Sequence, residues 1–583
     1  MGTDVLDRGR DPDVAAPLAV PRPWSERLPT ERIVVGLVLV VAVFLVAYPV
    51  FFLVQVSLNV GRPDARPIAE YGLGNFTAIF NRLDWLGNTL LVSVLGSVLA
   101  VFFGLMLAWI IHRTNVPGAR VFEQLVILPF YMTPLVGALA WSTLASPKAG
   151  LVNKLWQNVA GADAVLLNIQ SPLGIIWVMA LYEGTVAYMI ISGAMRTMDP
   201  SLEECSMVLG AGRLKTALRV TFPLLMPAII GAAAFVFAEM MGSFAVATIL
   251  GNPIRFFVVT TGLWLLLSGN PPNYPLAAAM GISLFAFTGA AMWVYARMIG
   301  GRDFTTITGK AFRPRRMDMR GWRPVLFGIC LVYVLLAAIL PLLALVMASL
   351  LRFNTTVASD MSWTFGNYEQ VFSRGPTVGA LQNSLFLAFM TASIGVVFMG
   401  IISWLIYRST VRGRGFLEYV VMFPQAVPRM VFSLGLLWAW IVMPIGIYGT
   451  IWLLLIGYLT IFLPLGVRTI SGVMLQLERS VEECSRVCGA SWLTTMRRIT
   501  LPLLKPGIMA AWVLIFIVSI REVGASILLI SARTKVIGPA IIESYEGSGS
   551  QLTAALAIIQ SIIVFVALII IQRIARGRAD ADA

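Results

Sequence analysis

Five ionisable residues stand where charge is costly: Glu183, Glu239, Arg429, Arg521 and Glu522 each fall inside an apolar stretch long enough to cross a bilayer. A charge at the centre of such a stretch costs roughly 2.5–3.5 kcal/mol on insertion scales, so none of them should face lipid. They can line a water-filled pathway or its gates, or pair as internal salt bridges, with Arg429 and Arg521 as candidate partners of the glutamates. Arg521 and Glu522 are neighbours that point about 100° apart on a helix, so they cannot simply neutralise each other. Three acids and two bases leave one surplus negative charge, which does not decide the cargo. With His112 as the only histidine and no metal-ligand constellation, a membrane-embedded enzyme is disfavoured and any metal site is unknown.

The elements that must position these charges are helices. The chain has 583 residues, 58% hydrophobic and only 12% charged, a membrane composition. Twelve apolar runs approach or exceed the roughly 20 residues a helix needs to span hydrocarbon. They fall near residues 33–58, 88–111, 122–145, 173–197, 224–250, 276–298, 324–351, 383–407, 416–442, 446–470, 503–531 and 552–572. Lipid offers no partner to bare backbone, so these runs are expected to be helical. The polar leader, residues 1–32, lacks a small-residue cleavage pattern and is expected to stay in the cytoplasm as a tail. With the N-terminus inside, most of the 43 Lys and Arg fall on the cytoplasmic side, which accounts for the net charge of +14 without nucleic acid. The densest basic cluster, Arg297 to Arg323, reads as a linker facing anionic lipid headgroups. Cys205, Cys484 and Cys488 fall in predicted cytoplasmic loops and Cys330 in a span; small buried thiols are expected rather than a zinc site.

The chain repeats itself. LEECSMVLGAGRLKTALRVTFP, from Leu202 to Pro223, returns as VEECSRVCGASWLTTMRRITLP, from Val481 to Pro502, at a spacing of 279. Upstream, the stretch beginning at Asn88 returns at Asn383 with a spacing of 295, which places the difference in a longer outer loop around Ser146 to Pro172. Each half carries six spans, an even number, so the halves are parallel, with a pathway expected where they meet. The expected domains are a first half over 33–300, a linker over 301–323 and a second half over 324–583.

Both repeated loops lie between the fourth and fifth span of their half, on the cytoplasmic side. Ser201 to Glu204 and Ser480 to Glu483 fit a capping box, in which serine caps a short helix and glutamate reaches back. Gly210 and Gly489 suit a left-handed helix end. Leu214, Ala217 and Val220, matched by Leu493, Met496 and Ile499, give a second helix an apolar face. Pro223 and Pro502 are expected to close it as the chain re-enters the membrane. Each loop therefore reads as a helix-turn-helix knob. One such knob could merely pack against neighbouring helix ends; two with the same spacing favour a symmetric partner with two sockets.

The pattern Glu-Cys-Ser-x3-Gly-x9-[Val/Ile]-x-[Phe/Leu]-Pro, starting at Glu204 and Glu483, resembles the EAA loop of permease subunits in binding-protein-dependent ABC importers, with Cys-Ser in place of Ala-Ala. LPFYMTPLVGALAWSTL from Leu128 and FIVSIREVGASILL from Phe516 resemble the fused two-half permeases of ferric-iron-type importers. The resemblance implies an all-α integral membrane protein with twelve spans in two parallel six-helix halves, of the type I ABC importer kind. It implies that Glu204, Gly210, Pro223, Glu483, Gly489 and Pro502 dock on two copies of a cytoplasmic ATPase. It further implies a periplasmic or lipid-anchored binding protein, a multi-pass place in the bacterial inner membrane with both termini cytoplasmic, and passage of a small solute, ferric iron first, by alternating access. Fusion is shared with thiamine, phosphonate-like and polyamine-like systems, which remain alternatives.

No G-x-x-x-x-G-K-[ST] loop is present to cradle phosphates, so no cofactor is expected and energy comes from another subunit. Residues 256–267 and 536–545 are apolar but too short to cross and are expected along the outer interface, where a binding protein could dock. A secondary transporter of six-plus-six type is the rival reading, but it has no use for matched knobs.

Overall fold

The computed structural model describes residues 30–62, 68, 70–161, 164–199, 201–299, 317–353, 361–409, 413–547 and 549–579. The leader and most of the basic linker lie outside them. Among the described residues the chain is helical, with only three isolated β-bridges.

Among the described residues eight helices are long and apolar enough to cross a membrane unbroken, and they coincide with eight of the twelve predicted spans. The other four are broken. The predicted span over 122–145 is a pair, Ala119–Tyr131 and Pro134–Ala145, bent by 95°, and its counterpart over 416–442 is Arg414–Ala426 and Arg429–Val442, bent by 109°. The span over 446–470 bends by 47° between Ile461 and Leu463, and the fifth span of the first half follows a 67° bend between Leu224 and Met226. Proline accounts for much of this: Pro134, Pro428, Pro464 and Pro227 sit at or beside the breaks, where a missing N–H and a fixed φ stop an α-helix. A fifth bent pair, Ala245–Ile254 and Val259–Ser268, includes the segment expected along the outer interface.

Pro502 does not close its helix, contrary to the sequence expectation, whereas the helix through Pro223 ends one residue later, at Leu224, before the 67° bend. Each proline follows a π-turn, Ala217–Thr221 or Met496–Thr500, after which helical backbone resumes. Pro341 follows Leu335–Ile339 in the same way. The wider turn spares the carbonyl that a proline ring would strike in an α-helix, so the chain passes the proline without ending. In the second half the result is one long helix, Leu493–Arg521, running from the knob into the membrane.

The repeat also reaches the first helix of each half. The Nδ2 of Asn75 donates to the carbonyls of Ser57 and Asn59 (3.0 and 2.6 Å), and Asn367 donates to those of Ser349 and Leu351 (2.9 and 2.8 Å), a correspondence at a spacing of 292. These first helices reach across in exchange, each also packing within its own half, on Tyr274–Ile299 and Ser550–Ala579. Thr30–Ser57 packs on the second half's Arg429–Val442, and Leu340–Leu350 packs on the first half's Pro134–Ala145. Contact at the first exchange is close enough that a Cβ on Gly435 would meet the Pro49 carbonyl oxygen at 2.5 Å.

Of the cysteines, only Cys330 is buried; Cys205, Cys484 and Cys488 are exposed, which corrects the expectation of buried thiols in the loops.

Candidate functional site: a charged cavity and two cytoplasmic knobs

All five intramembrane charges line one cavity of about 300 Å³, joined there by Arg468. Its walls are the breaks in the helices: Thr133 and Pro134, Gly242 to Ala245, Pro424 to Arg429, Phe462 and Pro464, and Glu522 to Gly524. Thr133 and Pro428 correspond at the 295 spacing, and Gly242 and Arg521 at 279, so the two halves contribute equivalent gaps. Irregular backbone at membrane depth is tolerated only where protein or water covers it, and broken helices facing one another are the usual construction of a solute pathway.

The backbone is doubled here but the charges are not. Arg429 stands where the first half has Pro134, Glu522 where it has Ser243, Glu239 where the second half has Val518, and Glu183 where it has Phe462. Arg429 Nη2 donates to both carboxylate oxygens of Glu239 at 2.9 and 3.0 Å, and Nη1 donates to Glu522 Oε2 at 3.2 Å. The other Glu522 oxygen accepts the Ala525 N–H at 2.9 Å, so this carboxylate also caps the break after Arg521. Among the described residues no carboxylate pairs with Arg521; its guanidinium lies 4.9 Å from the Phe130 ring centroid, a cation–π arrangement. Glu183 faces the cavity from Pro172–Thr197. Arg429, Glu239 and Glu522 are thus paired, and all five charges line the cavity. The signal that sequence reasoning missed was Arg468, and it missed the breaks themselves, although proline and glycine mark most of them.

The knobs are two short helices around a left-handed glycine. The first helix is Ser201–Val208 in one half and Ser480–Val487 in the other. Gly210 and Gly489 take φ values of +86° and +83°, as a left-handed end requires. Across each turn a serine meets a threonine, Ser206 with Thr216 at 3.0 Å and Ser485 with Thr495 at 2.8 Å. These are the serines that stand in the altered Ala-Ala position.

The capping box is not formed in the second knob. Arg479, not Ser480, precedes the helix, and no side chain caps it. The glutamates of the pair divide differently from expectation. Glu203 and Glu482 turn inward and accept from Thr221 and Thr500 at 2.6 and 3.1 Å, clamping the first helix of each knob to the second. Glu204 and Glu483 are exposed. The inner face of the second helix is made by Thr216, Ala217 and Thr221, or by Thr495, Met496 and Thr500, and not by the predicted leucines. Leu214 and Leu493 are instead exposed, together with Val208 and Val487 at 86% and 88%. Two equivalent knobs therefore present apolar side chains and a free glutamate outward, which is what a socketed protein partner recognises.

Residues 397–579, which include the second knob, match the family model of the binding-protein-dependent transport system inner membrane component. Residues 397–579 are thus a binding-protein-dependent transport permease domain. The chain is 28% identical to a ferric transport system permease protein of Actinobacillus pleuropneumoniae, over 78% of this chain and 65% of that one. It is 29% identical to a putative ferric transport system permease protein of Haemophilus influenzae, over 77% of this chain and 70% of that one. A second Haemophilus influenzae protein, an Fe(3+)-transport system permease, is 25% identical over 87% of this chain and 94% of its own length. The chain thus spans just under two thirds of the Actinobacillus protein and nearly all of the last.

Proposed function

We propose that the permease passes ferric iron from a periplasmic or extracellular binding protein into the cytoplasm by alternating access, driven by two copies of a cytoplasmic ABC ATPase. The observation that carries this reading is the doubled knob: the same clamp, the same left-handed glycine and the same exposed apolar positions recur at a spacing of 279. Two sockets call for two identical partners, and the sequence carries no phosphate-cradling loop of its own. Ferric iron is supported by the three relatives above, all described as ferric permeases.

In this reading, ATP-driven closure of the ATPases draws the knobs together through Glu204, Gly210, Pro223, Glu483, Gly489 and Pro502. The halves, residues 33–300 and 324–583, rock about the charged cavity while the linker over 301–323 rests on anionic lipid. Glu183, Glu239 and Glu522 supply carboxylate oxygens, the ligands a hard cation prefers, along a route where binding must stay weak enough for release. The permease sits in the bacterial inner membrane with both termini in the cytoplasm, as the distribution of Lys and Arg favours.

The test is ferric uptake into proteoliposomes holding the permease, its ATPase and its binding protein. Uptake should require ATP and survive collapse of a proton gradient. A Glu204→Arg/Glu483→Arg double variant should fold and lose about tenfold in uptake, equivalent to roughly 1.4 kcal/mol of docking. Full uptake by that variant overturns the role of the knobs, and uptake of a polyamine, thiamine or phosphonate in place of iron overturns the cargo.

A further inference from the structure

The two helices that lead from the knobs are bridged near their far ends by one side chain, Arg429. In the first half the knob leads through Arg213–Leu224 into Met226–Met241, near whose end stands Glu239. In the second half Leu493–Arg521 begins in the knob and ends one residue before Glu522. At a rise of 1.5 Å per residue, Leu493–Arg521 is an arm of about 40 Å. Arg429, at the start of the helix beyond the 109° bend, holds Glu239 in a two-pronged bond at 2.9 and 3.0 Å and Glu522 at 3.2 Å. Its partners come one from each half.

The two bonds differ in setting. The Glu522 side chain is 2% exposed and fixed by the Ala525 N–H, whereas the side chains of Glu239 and Arg429 are 32% and 39% exposed to the cavity. A wet ion pair contributes little net stability and exchanges readily, while a buried carboxylate stripped of its cation is costly. The Glu239 bond is therefore the one that can break, with Arg429 staying on Glu522. Because Pro134 occupies the equivalent place in the first half, no second copy of the triad exists to hold the halves if this one opens.

We propose that Arg429 is a latch between the halves: its bond to Glu239 holds the two knob-bearing helices together at the cavity, and that bond opens and closes once per transport cycle. The proposal rests on the alternating-access reading above but is tested without ATPase, binding protein or cargo.

The experiment measures the distance between the knobs in the full chain in lipid nanodiscs. Cys205 and Cys484 are exposed and occupy equivalent positions on the two knobs, so spin labels can be placed there in a Cys330→Ser/Cys488→Ser background. The latched chain should give one narrow distance distribution. Arg429→Gln and Glu239→Gln should each add a second, shifted population, and Arg429→Lys should largely restore the first. Glu369→Gln, at an exposed position on Gly366–Ser373, should leave the distribution as it was. Glu239→Gln guards against misfolding at Arg429, since it removes a half-exposed charge without orphaning a buried one; each variant is scored on monodisperse protein. An unshifted single population in both Gln variants overturns the latch. A shift in chains that import no ferric iron upholds the latch and removes only the import reading.

Discussion

Arg113 and Arg408 stand 295 residues apart and make the same pair of bonds. The Nη2 of Arg113 donates to the carbonyls of Met195 and Met198 at 3.1 and 3.3 Å, and that of Arg408 to Met474 and Leu477 at 2.7 and 2.5 Å. Each guanidinium, at the end of the second span, pins the root of its knob by supplying donors to carbonyls that a helix end leaves open. Only Arg113 goes further: its Nε lies 3.5 Å from Glu203 Oε1, both side chains being buried.

This difference predicts unequal knobs. Glu203→Ala leaves Arg113 buried without its counter-charge and should cost about 3–5 kcal/mol. Glu482→Ala forfeits chiefly the bond from Thr500 and should cost about 1 kcal/mol. Hydrogen exchange at the two knobs of each variant measures the contrast, and equal loss of protection would contradict it.

Gly210→Ala and Gly489→Ala should each cost about 1–2 kcal/mol of local stability through backbone strain alone. A Cβ at either position meets nothing within 4 Å, so crowding plays no part. Asparagine, which tolerates the left-handed region, should recover part of the loss. Affinity for the proposed ATPase, measured on the detergent-solubilised chain, is the sensitive readout.

Gly435→Ala should destabilise the protein by about 1–3 kcal/mol, since its new carbon would press on the Pro49 carbonyl. Gly193→Ala is expected to have the opposite sign, a gain of about 0.5–1 kcal/mol, because that helical glycine faces open space. Thermal unfolding of both variants in one detergent compares them directly.

Thiol labelling separates the cysteines. Cys205, Cys484 and Cys488 should react with a maleimide in the native permease and Cys330 only after denaturation. The proposed ATPase, when bound, should slow labelling of Cys205 and Cys484. Mass spectrometry of labelled peptides decides each site.

The spans, the repeat and the knobs were legible because each rests on a local pattern: apolar length, recurrence and a glycine after a short helix. The gathering of Glu183, Glu239, Arg429, Arg521 and Glu522 around one cavity accords with the cost of facing lipid. The breaks at Thr133, Pro428 and Glu522 were not read from hydropathy, which averages across one or two extended residues inside an apolar run; the prolines at the first two were the signal available. The choice between Glu203 and Glu204 was not legible. Adjacent helical residues differ by about 100° in direction, and which one turns inward is decided by Thr221 and by Arg113, some 90 residues upstream. The exchange of first helices left no trace in either half alone, because any apolar helix of that length has several faces that could be covered.

That exchange also sets an order of assembly. Pro134–Ala145 emerges from the ribosome some 200 residues ahead of Leu340–Leu350, and Thr30–Ser57 nearly 400 ahead of Arg429–Val442. Neither early segment can reach its final neighbour during synthesis of the first half, so the nascent membrane protein must wait with unfinished surfaces in the bilayer. A ribosome stalled near the midpoint would therefore leave an incomplete fold, and joining both halves in one polypeptide keeps the missing neighbour tethered close by.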